Sequence, residues 1–124
     1  MDPGRPDPRP LSPEEAAVLH ALLAQDFPGA SELRMQSRDV LAQPGCGCGC
    51  GTIWLWPQGR HLPASNATSP VPAEGIVVDD QGKTIGGILL FVQEGQSADL
   101  EVYSYDEPLP MPPAHRVSWF LRDR

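Results

Sequence analysis

Residues 75–105, GIVVDDQGKTIGGILLFVQEGQSADLEVYSY, decide the fold because three strand-like stretches follow one another there with only short turns between them. The strand-like stretches are rich in β-branched and aromatic residues, whereas the turns combine glycine with polar neighbours. Strands joined by such short turns are usually neighbours in one antiparallel sheet. The sequence therefore predicts an antiparallel meander, with strands at residues 75–79, 84–93 and 99–105.

The predicted strands differ in how many of their faces are apolar. Residues 84–93 are apolar at almost every position, which predicts a central strand covered on both faces or held at a tight interface. Leu100 and Val102 alternate with polar residues, so the last strand is expected to be half buried. The pair Gly86 and Gly87 predicts a β-bulge or a point where a helix lies close to the backbone. Further strands are expected upstream, at residues 39–42 and 52–56.

An amphipathic helix precedes the strands. Ser12 and Glu15 are spaced as in a capping box, and Pro13 occupies the first helical position, where its missing N–H is harmless. An apolar stripe at three-to-four spacing then predicts one buried face up to about residue 26. A shorter helix is expected from Ser31, as its N-cap, to about Gln36. The predicted fold class is α+β, with an N-terminal helix and a short second helix packed on an antiparallel β-meander of about four strands.

Proline divides the chain into three parts. Residues 1–11 carry four prolines and alternating charges, and we expect them to form a disordered leader. Residues 12–107 are expected to form a single α+β domain, with a long surface loop at 57–74. Residues 108–124 are again proline-rich, and we expect this tail to fold back onto the domain through its apolar end, residues 117–121. A free tail that docks into a partner is the alternative.

Sixteen acidic residues against nine basic ones give the chain a net charge of −7. Nucleic-acid binding depends on basic side chains that displace counterions from phosphates, so a chain whose sole lysine is Lys83 is not expected to bind nucleic acid. A basic protein partner fits this charge better. No apolar run approaches the length that crosses a bilayer, and the first ten residues lack a secretory signal pattern. We therefore expect a cytoplasmic protein with reduced thiols and no membrane partner.

All three cysteines lie in residues 44–51, PGCGCGCG, where single glycines separate them. Thiolates are soft ligands for zinc or copper, and glycines allow the backbone to curl until several sulfur atoms converge. Alternate side chains of a straight strand are about 7 Å apart, so a metal site requires a bent loop here. The candidate metal ligands are Cys46, Cys48 and Cys50, with a fourth supplied by His61, a carboxylate or water.

Other interpretations of the cysteine cluster remain open. The cysteines can serve as small apolar residues in a glycine-rich turn that enters the next strand. Their alternation continues into Trp54 and Trp56, so they would extend one packed face. A disulfide between Cys46 and Cys50 would instead leave Cys48 as an odd thiol, and redox chemistry of the thiols is the third interpretation.

Motifs of familiar catalytic machinery are missing from the sequence. It contains neither a phosphate-binding glycine loop nor a nucleophile elbow. His20 falls on the polar helix face, His61 in the long loop and His115 in the tail, and solvated side chains are expected at all these positions. The sequence therefore favours a protein that is not an enzyme.

The last predicted strand carries a candidate recognition surface. Glu101, Tyr103 and Tyr105 should share one face, and Asp106 and Glu107 follow at once. Exposed tyrosines ringed by carboxylates are a plausible protein interface. The alternative is that the tyrosines pack under the C-terminal tail.

Three segments carry a resemblance to a known family: the opening LSPEEAAVLHALLAQDFPGASELR, the CGCGC cluster, and ILLFVQEGQSADLEVYSYDEP. With these segments, residues 11–108 resemble a family of small uncharacterised proteins from high-GC Gram-positive bacteria. That family has no established function, so the resemblance implies no residue roles. In size and acidity the chain is also similar to immunity proteins, which block a bacterial toxin by binding it.

The sequence leaves two hypotheses about function. The first is a non-enzymatic protein-binding module, with an immunity-like role as one form, which uses the strand that carries the tyrosines and carboxylates. The second is a metal- or thiol-dependent protein, with zinc or copper as its cofactor, which uses the cysteine cluster.

Overall fold

The computed structural model describes residues 6–45 and 49–122. These segments contain two α-helices, seven strands and a 3-10 turn. Both helices lie between the first two strands of the chain, and the other strands follow without a further α-helix. The elements are β1 (Arg9–Pro10), α1 (Pro13–Leu23), α2 (Ala30–Gln36), β2 (Val40–Pro44), β3 (Ile53–Pro57), β4 (Ala73–Val78), β5 (Thr84–Gln93), β6 (Gln96–Ser104), the 3-10 turn (Ala114–Arg116) and β7 (Val117–Leu121).

All seven described strands form one antiparallel sheet in the order β1-β2-β3-β6-β5-β4-β7. This arrangement confirms the α+β class, and β4, β5 and β6 are the neighbours that their short connecting turns predict. The prediction of about four strands is wrong. Both proline-rich ends of the chain add a strand, because each pairs with a neighbour that lies far away in the sequence.

Helix α1 begins at the predicted capping box. The Glu15 N–H donates to Ser12 Oγ at 3.1 Å, and the Ser12 N–H donates to Glu15 Oε1 at 2.8 Å. The apolar stripe is buried, as its spacing predicts. The helix ends at Leu23, earlier than expected. The buried stripe residues are Val18, Leu19, Leu22 and Leu23.

Helix α2 is capped by a glycine and not by the predicted Ser31. Gly29 is the N-cap and adopts a left-handed conformation with φ 89°, which glycine accepts without steric cost. The Ser65 hydroxyl donates to the Gly29 carbonyl at 2.7 Å and fixes this turn against the long loop. Ser31 lies inside the helix, where its hydroxyl bonds to Glu32. No helix in the described part of the chain is long and apolar enough to cross a membrane.

The two helices cover one face of the sheet, which we call the inner face. Alternate residues of the central strands are buried there, for example Ile53 and Leu55 in β3 and Leu100 and Val102 in β6. Together with the helices they form the hydrophobic core. Core residues without any exposed surface are Val18, Leu22, Leu33, Ala42, Val71, Ala73, Ile88, Leu90 and Leu100.

The C-terminal segment runs back along the sheet. The Gly51 N–H donates to the Leu109 carbonyl at 2.7 Å, so the proline-rich stretch lies against the start of β3. The chain then forms β7 beside β4. Val117 belongs to the core and Trp119 packs against it, so the apolar end of the segment is part of the domain.

The proline-rich start of the chain is held against the domain from residue 6 onward. Gln43 Nε2 donates to the Pro6 carbonyl at 2.9 Å, and β1 pairs with β2. The Arg9 guanidinium donates two hydrogen bonds to the Glu15 carboxylate, at 2.8 and 2.9 Å. The sequence predicts a disordered leader through residue 11, but these contacts hold residues 6–10 in place. Residues 1–5 lie outside the described part.

The buried Glu15 has a lowered pKa. Burial by itself would raise the pKa of this carboxyl, but the hydrogen bonds from Arg9 and from the Ser12 N–H outweigh that effect. A carboxyl with a lowered pKa stabilises the folded state above its ordinary pKa. This stabilisation is lost as the pH falls through the folded value.

We expect Arg9→Ala to lower the free energy of unfolding by about 1 kcal/mol at neutral pH, because a bidentate, partly buried ion pair is lost. Acidification should then cost the variant less stability than the wild type, because Arg9 no longer lowers the pKa of Glu15. Urea denaturation at about pH 7 and about pH 4 measures both effects. Arg38→Ala, which removes an exposed arginine, is the matched control. Equal losses in the two variants would contradict the prediction.

Candidate functional site

The sheet face turned away from the helices, which we call the outer face, carries aromatic, aliphatic and acidic side chains. In β3, Trp54 and Trp56 belong to it, while the alternating Ile53 and Leu55 are buried on the inner face. Among the described residues, no apolar side chain of the outer face belongs to the core or packs against it. The helices therefore cover β5 on its inner face alone. The outer face comprises Trp54, Trp56, Glu74, Ile76, Leu89, Phe91, Asp99, Glu101, Tyr103 and Phe120.

Asp99 lies in a row of side chains that crosses three strands. The register places it opposite Trp54 of β3 and opposite Phe91 of β5. Burial raises the pKa of the Asp99 carboxyl. Within the described segments this carboxylate has no hydrogen bond or ion pair. A cation brought by another molecule would stabilise its charged form.

A second row of the outer face combines two glutamates with a leucine. Leu89 lies between Glu101 and Glu74, on the neighbouring strands. Glu74 already has a partner, because the Arg122 Nε lies 2.7 Å from its Oε1. Glu101, like Asp99, forms no ion pair with any residue that the structure describes. The outer face thus offers two carboxylates to an external cation.

The Gly86–Gly87 pair lies beside the predicted bulge and at a close approach of a side chain. The β4–β5 ladder shifts register between Val77 and Val78, beside Gly86, so the predicted bulge is present. The close approach occurs at Gly87, but its source is the Tyr103 ring and not a helix. A Cβ at Gly87 would overlap that ring. Glycine here lets the tyrosine lie flat across β5.

The two tyrosines of the predicted recognition surface contact each other. The Tyr103 and Tyr105 rings meet edge to face, with centroids 6.0 Å apart. Burial, followed by the neighbouring Tyr105, Glu74 and Glu101, raises the pKa of the Tyr103 hydroxyl. Tyr105 is 67% exposed, and the C-terminal segment does not cover it.

A groove of about 550 Å³ opens at the outer face between β3 and β6. The two strands pair at Ile53 opposite Leu100 and at Trp54 opposite Asp99, and then separate. Trp54 and Asp99 both line the groove, so the carboxylate without a cation lies at its end. The groove therefore joins an acidic group to an opening in the strand ladder.

Backbone alternation shows which groups of β3 face this groove. The Gly45 N–H donates to the Thr52 carbonyl, and the Gln58 N–H donates to the Asp39 carbonyl. Even-numbered positions of β3 therefore direct their backbone toward β2, and odd-numbered positions direct theirs toward β6. The Trp54–Asp99 pairing uses the Leu55 N–H, and the Leu55 carbonyl faces the groove. A carbonyl at a strand edge can accept a main-chain hydrogen bond from an extended peptide.

No protein-family model, curated protein or solved structure matches this chain. The geometry of the outer face is therefore the basis for assigning a function. The arrangement offers aromatic surface, two carboxylates and strand-edge hydrogen bonds, all of which serve binding.

The predicted partner-binding residues lie close to one another, but they are one part of the site. Glu101 and Tyr103 belong to the outer face, while Asp106 and Glu107 are exposed in the turn after β6. Sequence reasoning missed Asp99, because a single acid near the start of a strand carries no signal. It also missed Trp54, because both faces of β3 are apolar and the sequence does not show which of them is covered.

The structure describes two of the four residues named as candidate metal ligands. Cys46 and Cys48 lie outside the described residues. Cys50 is a half-exposed free thiol, and His61 is exposed in the long loop with φ 62°. The described residues contain no group of three or more His, Cys, Asp or Glu that could hold a metal ion. Zinc or copper binding by the cluster stays a prediction.

The β3 strand corrects one interpretation of the cysteine cluster. The sequence suggested that the cysteines extend a packed face shared with Trp54 and Trp56. The packed residues of β3 are Ile53 and Leu55, whereas Trp56 is 46% exposed. The tryptophans therefore lie on the outer face, and the position of Cys46 and Cys48 relative to them lies outside the described residues.

Proposed function

We propose that this chain is a non-enzymatic binding module that holds an arginine-bearing, extended segment of a basic partner protein on its outer face. The observation that carries the proposal is Asp99, a partly buried carboxylate with a raised pKa and no cation in the described segments. Leaving such a charge without a partner costs free energy, and an ion pair with a bound guanidinium would offset that cost.

The neighbours of Asp99 favour arginine as the recognised side chain. Trp54 and Phe91 flank the carboxylate across the two adjacent ladders. A guanidinium can pair with a carboxylate and stack on an aromatic face at the same time, which a lysine ammonium does less well. Aromatic residues at the centre of an interface also tend to supply much of the binding energy.

The groove favours an extended segment over a helix. The Leu55 carbonyl faces the groove where β3 and β6 separate, and it can accept a main-chain hydrogen bond from a bound segment. A strand placed there would lie beside Trp56 and reach Asp99 at the end of the groove. β-Strand addition of this kind supplies affinity through the main chain and specificity through alternate side chains.

The charge of the whole chain supports a basic partner. A net charge of −7 would steer a basic protein toward the surface and raise its association rate at low ionic strength. An immunity-like role, with a basic toxin as the partner, is one biological form of this proposal. The similarity in size and acidity supports that form.

A random peptide library displayed on phage is a direct probe of the outer face. We expect the selected peptides to be enriched in arginine and extended in conformation. Asp99→Asn with Glu101→Gln should weaken binding of a synthesised selected peptide at least about tenfold, or about 1.4 kcal/mol. Isothermal titration at physiological salt measures the change. Binding should also weaken on acidification, at a higher pH than an ordinary aspartate would give, because the pKa of Asp99 is raised.

A matched pair of substitutions on the helix side distinguishes specific binding at the outer face from general attraction to the net charge of the chain. Glu14→Gln with Glu32→Gln removes the same two charges from α1 and α2, away from the outer face. This control should bind the peptide almost as tightly as the wild type. Selected peptides without basic residues, or equal weakening by both pairs of substitutions, would disprove the proposal.

A further inference from the structure

Strand β7 forms one edge of the sheet, and its backbone alternates between two directions. The Arg122 N–H donates to the Pro72 carbonyl at 2.8 Å, and the register places Phe120 opposite Glu74. Residues 118, 120 and 122 therefore direct their backbone toward β4, and residues 117, 119 and 121 direct theirs away from the sheet.

The outward backbone groups of β7 are open in the described part of the chain. The Val117 N–H donates to the Ala114 carbonyl of the preceding 3-10 turn. No described residue bonds to the N–H or the carbonyl of Trp119 or of Leu121. A strand edge of this kind is a template for another strand.

The opposite edge of the sheet is protected in a way that β7 is not. Strand β1 has two residues, one of them Pro10, which has no N–H to donate, and the other the charged Arg9. Strand β7 has five residues without proline or charge. Its Phe120 and Leu121 are 39% and 44% exposed. Natural sheets rarely leave such an edge unpaired.

We propose that two copies of this chain associate through β7, antiparallel to each other and related by a two-fold axis at Trp119. In this register each Trp119 N–H donates to the Trp119 carbonyl of the second copy, and each Leu121 N–H donates to the Val117 carbonyl. The Val117 N–H needs no new acceptor, because Ala114 already supplies one. The two sheets become one continuous antiparallel sheet.

The side chains of β7 favour a second copy over an unrelated strand. The two-fold register places Leu121 opposite Val117 on the inner face and Phe120 opposite Ser118 on the outer face, so each large exposed side chain meets a smaller one. The exposed apolar side chains of β7 in one copy are thereby covered by β7 of the second copy. The two outer faces also lie on the same side of the joined sheet.

Light scattering coupled to size-exclusion chromatography tests the proposal on the full chain. We expect the wild type to reach twice the 13.4 kDa chain mass as its concentration rises to about 0.5 mM, since association depends on mass action. Leu121→Pro removes an N–H that faces away from β4 and leaves the β4–β7 ladder intact, so it should stay monomeric. A wild type that remains monomeric at the highest concentration would refute the association.

Two further variants test whether β7 itself forms the contact between the two copies. Phe120→Lys retains every backbone group of β7 but places a charge opposite Ser118 of the second copy, and it should raise the dimer dissociation constant at least about tenfold. Met35→Lys makes the same kind of change on α2, where Met35 is 47% exposed, and should leave the dimer unaffected. A dimer that persists in both β7 variants would place the contact elsewhere and overturn the proposal.

Discussion

Gln36→Met should lower the free energy of unfolding by about 3 kcal/mol, because it leaves a buried N–H and a partly buried carbonyl without a partner. Gln36 is 1% exposed. Its Nε2 donates to the carbonyls of Pro63 and Gly95, at 2.9 and 2.7 Å, and its Oε1 accepts from the Ser97 N–H at 3.0 Å. The Gly95 carbonyl retains the bond from the Ser65 N–H. Pro63 and Ser97 lose the partner that Gln36 provides.

Urea denaturation measures this loss, and methionine is the informative substitution because it preserves the length and the apolar contacts of the side chain. Gln81→Met, in an exposed turn, is the matched control and should change stability by less than about 0.5 kcal/mol. A Gln36→Met protein within about 0.5 kcal/mol of the wild type would contradict the assigned role.

Gln36→Glu separates hydrogen bonding from packing at the same position. A carboxylate there still accepts from Ser97 but repels the two carbonyls, whereas the protonated acid can donate to one of them. The fold should therefore raise the pKa of this glutamate. Its stabilisation is present below the ordinary carboxyl pKa and lost as the pH rises through the folded value. Relative to Gln36→Met, this variant should gain stability on acidification.

Gly75→Val should cost about 3 kcal/mol, because the position has no room for a side chain. A Cβ there would lie 2.5 Å from Val117 Cγ1, 2.9 Å from Trp119 Cζ3 and 3.2 Å from Ile88 Cβ. Ile88 lies in a central strand and cannot yield easily. Strand β7 is at the edge, so Val117 and Trp119 are expected to move first.

Amide hydrogen exchange identifies the element that gives way. The Ser118 and Phe120 amides face β4 and should exchange faster in Gly75→Val. The exchange rates of the β5 amides should change only as far as the global stability of the protein changes. Val117→Ala in the same chain removes the methyl group that the new side chain meets. It should restore part of the lost stability, a non-additive result that a double-mutant cycle measures. Purely additive losses would contradict the packing argument.

The local elements could largely be predicted from the sequence. The capping box of Ser12 and Glu15 begins α1 as predicted, since its hydrogen bonds join residues three positions apart. Strand β5 has the predicted limits, since polar turn residues bound its apolar run on both sides. The short turns made β4, β5 and β6 neighbours, because a tight turn allows little else.

The candidate site was only half predictable. Alternation placed Glu101 and Tyr103 on one face, but it could not say whether that face is covered. Burial raises the pKa of Asp99, and the strands that carry its neighbours Trp54 and Phe91 meet it only in the assembled sheet. The Leu55 carbonyl is open because β3 and β6 separate, and a single strand sequence contains no signal for that.

The sequence by itself thus determined the helices, the strand pattern and the order of the central meander, because the interactions behind them act within a few residues. The tertiary structure alone decided the strands added by both chain ends, the side of β3 that is buried, and the role of Gln36. These features depend on contacts such as that of Gln36 with Ser97, which lie 61 positions apart in the chain. Residues so distant meet only after the core has assembled, so no local pattern records their pairing.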